Sequence, residues 1–104
     1  MGKLNGFEDF RRGMVIRRKE DNEEFVIYSV ENNPDYYYSY IRVIKLSDIK
    51  RFLNGSFDEQ EIELAVRRIC NSEYWDEGIE SGFEIIKENA YQFKYQIYIT
   101  EAGE

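Results

Sequence analysis

Histidine is absent from the 104 residues, and cysteine and proline occur once each, as Cys70 and Pro34. Without imidazole there is no Ser-His or Cys-His pair, no histidine general base and no zinc site of the usual nitrogen and sulfur kind. A lone cysteine forms no intramolecular disulfide, whereas a secreted domain of this size more often carries a disulfide framework, so the composition favours a cytoplasmic home. Residues 1–10 hold no apolar run of signal-peptide length, and no stretch approaches the ~18 consecutive apolar residues of a spanning helix, which argues against export and against a membrane. The seven glycines never fall into the spacing of a dinucleotide or P-loop cradle. With no nucleophile beside a base and no metal cluster to name, the chain reads as a non-enzyme without cofactors.

What is present is 42% hydrophobic and 34% charged, the composition of a globular chain. No linker or repeat divides it, so residues 1–104 read as a single domain. Residues 14–19 and 24–30 are short and rich in β-branched and aromatic side chains, and Glu20, Asp21, Asn22 and Glu23 between them suit a hairpin loop. After the turn around Pro34, residues 37–46 extend this to a three-stranded meander. Ser47 is placed to cap a short helix ending near Asn54-Gly55. Ser56 and Glu59 then stand in capping-box spacing before Ile62, Ala65, Val66, Ile69 and Cys70, which recur at helical spacing. This predicts a helix over 57–70, with Cys70 a small buried hydrophobe and Glu63–Arg67 a surface pair. An acidic loop follows to Gly82. Residues 83–88 and 91–100 resume strand character around a turn at Asn89-Ala90, the latter with Tyr91, Phe93, Tyr95, Ile97 and Ile99 on one face. The expected order is β-β-β-α-α-β-β: an α+β domain whose antiparallel sheet has two helices packed on one face and the other largely solvated.

Charge is segregated along the chain. Residues 1–52 carry ten basic and nine acidic side chains, the remainder four and twelve, and the whole has a net charge of -7. Asp58, Glu59, Glu61 and Glu63 open the predicted long helix, on its solvated side, and read as surface charge rather than metal ligands. Glu73, Asp76, Glu77 and Glu80 fill the loop after it, and Tyr74 and Trp75 lie among them. Aromatic side chains flanked by charge are the ingredients of a protein-binding hot spot. A second aromatic group, Tyr36, Tyr37, Tyr38 and Tyr40, must split between the two faces of a strand, so part of it is exposed. The basic group Arg11, Arg12, Arg17, Arg18 and Lys19 is followed at once by four acids, and a sequence pI near 4.7 opposes a phosphate-binding stripe.

These features favour a non-enzymatic acidic module that binds a protein partner with a basic surface, such as a nucleic-acid-handling enzyme. In size and acidity, though in no motif, the chain resembles small bacterial immunity proteins and phage inhibitors of host defence enzymes. The expected contacts are Glu73, Tyr74, Trp75, Asp76 and Glu77, with Asp58, Glu59 and Glu63 supplying the steering field. Nucleic acid is disfavoured as a partner, and strand edges offer a route to homodimerisation. The alternative is a winged-helix-like DNA-binding regulator, suggested by two helices followed by a hairpin. Its recognition helix would, however, present Asp58, Glu59 and Glu61 to phosphates.

Overall fold

The structure is a computed structural model and describes residues 2–33, 38–53, 58–70, 79–94 and 98–102. The strands are β1 (Gly2–Lys3), β2 (Val15–Arg18), β3 (Glu24–Asn33), β4 (Tyr38–Lys45), β5 (Arg67–Cys70), β6 (Phe83–Lys87), β7 (Tyr91–Lys94) and β8 (Tyr98–Glu101). Two helices, α1 (Leu46–Phe52) and α2 (Glu59–Ala65), lie between β4 and β5. The fold is therefore α+β, as the sequence implies. Six strands form one antiparallel sheet in the order β1-β6-β2-β3-β4-β5, and β7 pairs with β8 as a separate two-stranded ribbon.

The meander β2-β3-β4 forms where its β-branched and aromatic runs predict it. Its first turn is fixed by Asp21, which accepts from the Arg18 guanidinium at 3.1 and 2.7 Å and from the Glu23 main-chain N–H at 3.1 Å. Asn22 takes the left-handed conformation there, at φ 60°, which asparagine tolerates better than most residues. The Arg18 contact, then the Glu23 N–H, hold the Asp21 carboxyl down from its usual 3.8 to about 2.

Three expectations require correction. First, the helix predicted over 57–70 ends at Ala65. Val66 turns to extended backbone, and Arg67–Cys70 become β5, paired with β4 through Arg67↔Val43, Arg68↔Arg42, Ile69↔Ile41 and Cys70↔Tyr40. The apolar spacing fits a long helix equally well, but strand pairing satisfies the open side of β4, a tertiary demand that outweighs local propensity. Ile69 thus packs on the sheet face away from the helices, Cys70 is exposed, and Arg67 is no helical neighbour of Glu63. The helix is capped by Asp58, whose Oδ1 accepts from the Glu61 N–H at 2.9 Å, while Ser56 lies outside the described residues. At α1 the N-cap is Lys45, with no side-chain cap, in place of Ser47.

Second, both sheet faces are apolar. Val15, Val26 and Ile44 pack with Ile49, Phe52, Ile62, Tyr91 and Ile99 on the side of the helices and ribbon. Ile16, Phe25, Ile27, Ile41, Val43 and Ile85 pack on the other side against Leu4, Phe10, Met14, Ile79 and Phe83. Edge-to-face rings run through this second layer, Phe7 to Phe10 at 5.4 Å, Phe10 to Phe83 at 6.3 Å and Phe83 to Phe25 at 6.4 Å. The face expected to be solvated is covered by the N-terminal segment and a 3-10 turn at Ile79–Gly82.

Third, Asn89-Ala90 is no hairpin turn. The segment read as one alternating strand over 91–100 is instead two paired strands, with Phe93 opposite Ile99; Tyr91, Phe93 and Ile99 of its expected apolar face pack in one layer, while Tyr95 and Ile97 lie outside the described residues.

The ribbon is joined to the sheet at Gly13. Its N–H donates to the Ile27 carbonyl at 2.8 Å, and its own carbonyl accepts from Ala90 and Tyr91 at 3.1 and 3.0 Å. Its φ is +90°, and a Cβ there would collide with the Tyr91 carbonyl oxygen.

Two predictions follow from these contacts. Gly13→Ala should lose about 2 kcal/mol or more in urea denaturation, through strained backbone and the displaced Tyr91 carbonyl. The depressed Asp21 pKa gives a stabilisation that is complete above the ordinary carboxylate range and is lost as pH falls from near 3.8 through about 2. Wild type should therefore weaken across that window more steeply than Asp21→Asn, as read by thermal midpoint against pH.

Candidate functional site

Of the residues expected to form the site, Glu73, Tyr74, Trp75, Asp76 and Glu77 lie outside the described residues. Asp58 caps α2 and Glu59 opens it, and Glu63 follows a turn later; Asp58 and Glu63 are both exposed. The helix turns Ile62 into the core and presents Gln60, Glu61, Glu63 and Leu64 to solvent. Leu64 is 89% exposed. A shallow groove of about 240 Å³ runs beside it, lined by Asp48, Arg51 and Phe52 of α1 and by Glu61, Leu64 and Ala65 of α2. Sequence reasoning passed over Leu64, although the signal was present: it is a leucine standing outside the apolar stripe of its own helix.

A second surface lies on the same side of the sheet, where β3 runs on past the start of β2. A bulge makes it. Ile27 pairs with Val43 but Ser29 pairs with Arg42, so the register skips Tyr28 and places Tyr28 and Ser29 on one face. Arg42 Nε donates to Ser29 Oγ at 2.7 Å, and its guanidinium lies 5.3 Å from the Tyr28 ring centroid. Arg12 approaches the same ring at 5.6 Å and Phe93 at 5.1 Å. Beside Arg42 across the β4–β5 ladder, Arg68 sits 3.9 Å from the Tyr40 ring centroid. Each contact is a cation–π arrangement that holds a guanidinium plane in place.

The arginines divide by partner. Arg17 pairs with Glu84 at 2.7 Å, Arg18 with Asp21 at 2.7 Å and Arg51 with Asp48 at 3.6 Å. Among the described residues no carboxylate pairs with Arg12, Arg42 or Arg68. The basic surface is thus not the contiguous group read from the sequence. Arg17 and Arg18 are neutralised, and Arg12 instead joins Arg42 and Arg68, residues distant in sequence that strand pairing brings together. Nothing local could have revealed this, because Arg68 reads as helical until β5 is known.

Among the described residues no group of His, Cys, Asp or Glu is placed to hold a metal ion, and no helix is long and apolar enough to cross a membrane. Comparison with protein-family models, with curated proteins and with solved structures finds no match to the chain. The Arg42 geometry is testable by itself: Ser29→Ala should cost about 1 kcal/mol of stability in denaturant titration, the usual worth of a hydrogen bond to a charged donor partly open to water.

Proposed function

We propose that the chain is a non-enzymatic, acidic protein-binding module of the inhibitor or immunity type, whose partner presents a positively charged surface such as that of a nucleic-acid-handling enzyme. The observation that carries this reading is Leu64, a large apolar side chain 89% exposed on a helix whose other outward positions include Asp58, Glu61 and Glu63. Acids around an apolar anchor divide the work of association. The charge field raises the encounter rate, and the desolvated anchor slows dissociation. Glu73, Tyr74, Trp75, Asp76 and Glu77 are assigned the same division of roles in the segment after β5. A cytoplasmic setting accords with the exposed, unpaired Cys70, and the bacterial or phage setting rests on the likeness in size and acidity alone.

The DNA-binding alternative draws less support. α2 has seven residues, outward-facing acids stand where base contacts would be needed, and β6 and β7 do not pair as a wing.

The test compares affinity capture and partner dissociation constants for wild type, Leu64→Ala and the double charge reversal Glu61→Lys/Glu63→Lys. Leu64→Ala should shift stability by less than about 0.5 kcal/mol while weakening the partner by about 2 kcal/mol or more. The charge reversal should chiefly slow association and flatten its salt dependence. Trp75→Ala should behave as Leu64→Ala does. A partner that binds the folded variants as tightly as wild type refutes the reading, as does capture of nucleic acid alone.

A further inference from the structure

We infer that the groove at the free edge of β3 binds a small phosphorylated metabolite of about mononucleotide size. The groove has a volume of about 430 Å³ and is lined by Arg11, Arg12 and Arg42 together with Phe10, Tyr28, Ser29 and Val30. Among the described residues no acid lines it. Of the two acids just before Arg11, Glu8 offers that arginine its main-chain carbonyl, at 2.8 Å, and the Asp9 carboxylate accepts from the Asn5 N–H at 2.8 Å.

Three features select the ligand. Three guanidiniums border one concavity, so a monocarboxylate would leave most of the positive charge uncompensated, whereas a phosphomonoester or diphosphate brings two or more negative charges and oxygens that match the planar fork. The forks are also set in advance. Arg42 is held by Ser29 and the Tyr28 ring, and Arg12 by Tyr28 and Phe93, so less rotamer freedom remains to be lost on binding. Finally, Phe10 and Val30, from the opposite apolar layer, line the groove where it meets the edge of the sheet and suit the carbon skeleton attached to the phosphate, and the size lies within the ordinary range of small-molecule sites. Arg68, exposed and paired with Arg42 one strand further on, adds to the positive charge on this face.

A long nucleic acid fits less well. The groove is a notch and not a stripe, and a net charge of -7 repels phosphates lying outside it.

Calorimetric titration of the full chain at low ionic strength tests the inference, with inorganic pyrophosphate, adenosine monophosphate, adenosine and a single-stranded oligonucleotide as probes. Pyrophosphate and the monophosphate should bind with sub-millimolar dissociation constants, and adenosine at least about tenfold more weakly. Arg12→Gln and Arg42→Gln should each weaken the monophosphate by about tenfold or more, while Arg51→Gln, outside the groove, leaves it unchanged. Should Arg42→Gln fail to fold, the exposed Arg11 and Arg12 carry the same comparison through Arg11→Gln/Arg12→Gln. The inference is overturned by absence of saturation with both phosphate probes, by arginine variants that bind as wild type does, or by an oligonucleotide bound more than about tenfold tighter than the monophosphate.

Discussion

A main-chain crossing at Gly13 holds the molecule's two β-structures in one arrangement. The residue before β2 donates to β3 through Ile27 and accepts from the start of the ribbon through Ala90 and Tyr91. Only a residue without a side chain allows the Tyr91 carbonyl to come so close. Because the ribbon's Tyr91, Phe93 and Ile99 close the apolar layer shared with α1 and α2, the placement of both helices depends on that crossing. So does the basic surface, since Phe93 supplies one of the rings against which Arg12 rests.

The chain handles its two signs of charge differently. On the hairpin and the sheet centre, arginines are matched one to one with acids, as in Arg17–Glu84 and Arg18–Asp21, which gives orientation but little net attraction for a third party. Acids accumulate instead on α2 around an apolar side chain, and unmatched arginines accumulate where β3 overruns β2. A strongly negative total charge therefore conceals a surface of the opposite sign. Whole-chain pI speaks to solubility and encounter and is silent about such local fields.

Much of the fold was legible because the meander is rich in β-branched and aromatic residues broken by polar turns, and because Tyr91, Phe93 and Ile99 stand at alternate positions and share one apolar layer. The two-sided burial was written in consecutive apolar pairs, Val15-Ile16, Val26-Ile27 and Val43-Ile44, whose meaning is a strand covered on both faces. The β3 bulge explains a run that otherwise looks out of phase. Strict alternation from Ile27 would turn Ser29 and Glu31 toward the core, and the extra residue returns Val30 to it. The end of α2 was not legible, since Val66 and Ile69 serve a helix stripe or a strand equally and only the waiting edge of β4 decides. The acidic candidates at Asp58, Glu59 and Glu63 followed from local pattern, but the arginine groove is a product of register and has no contiguous signature.

The strand that replaces the predicted helical turns is also the outermost described strand on its side of the sheet. An outer strand is a template on which another copy of the same chain can add itself, and uncontrolled addition of that kind ends in polymer. Here the template carries Arg67 and Arg68, both exposed, in adjacent positions. A second copy laid against it in antiparallel register would bring like charges together on both sheet faces. The substitution of strand for helix thus creates a polymerisation hazard, and the two arginines within that strand act as its built-in guard.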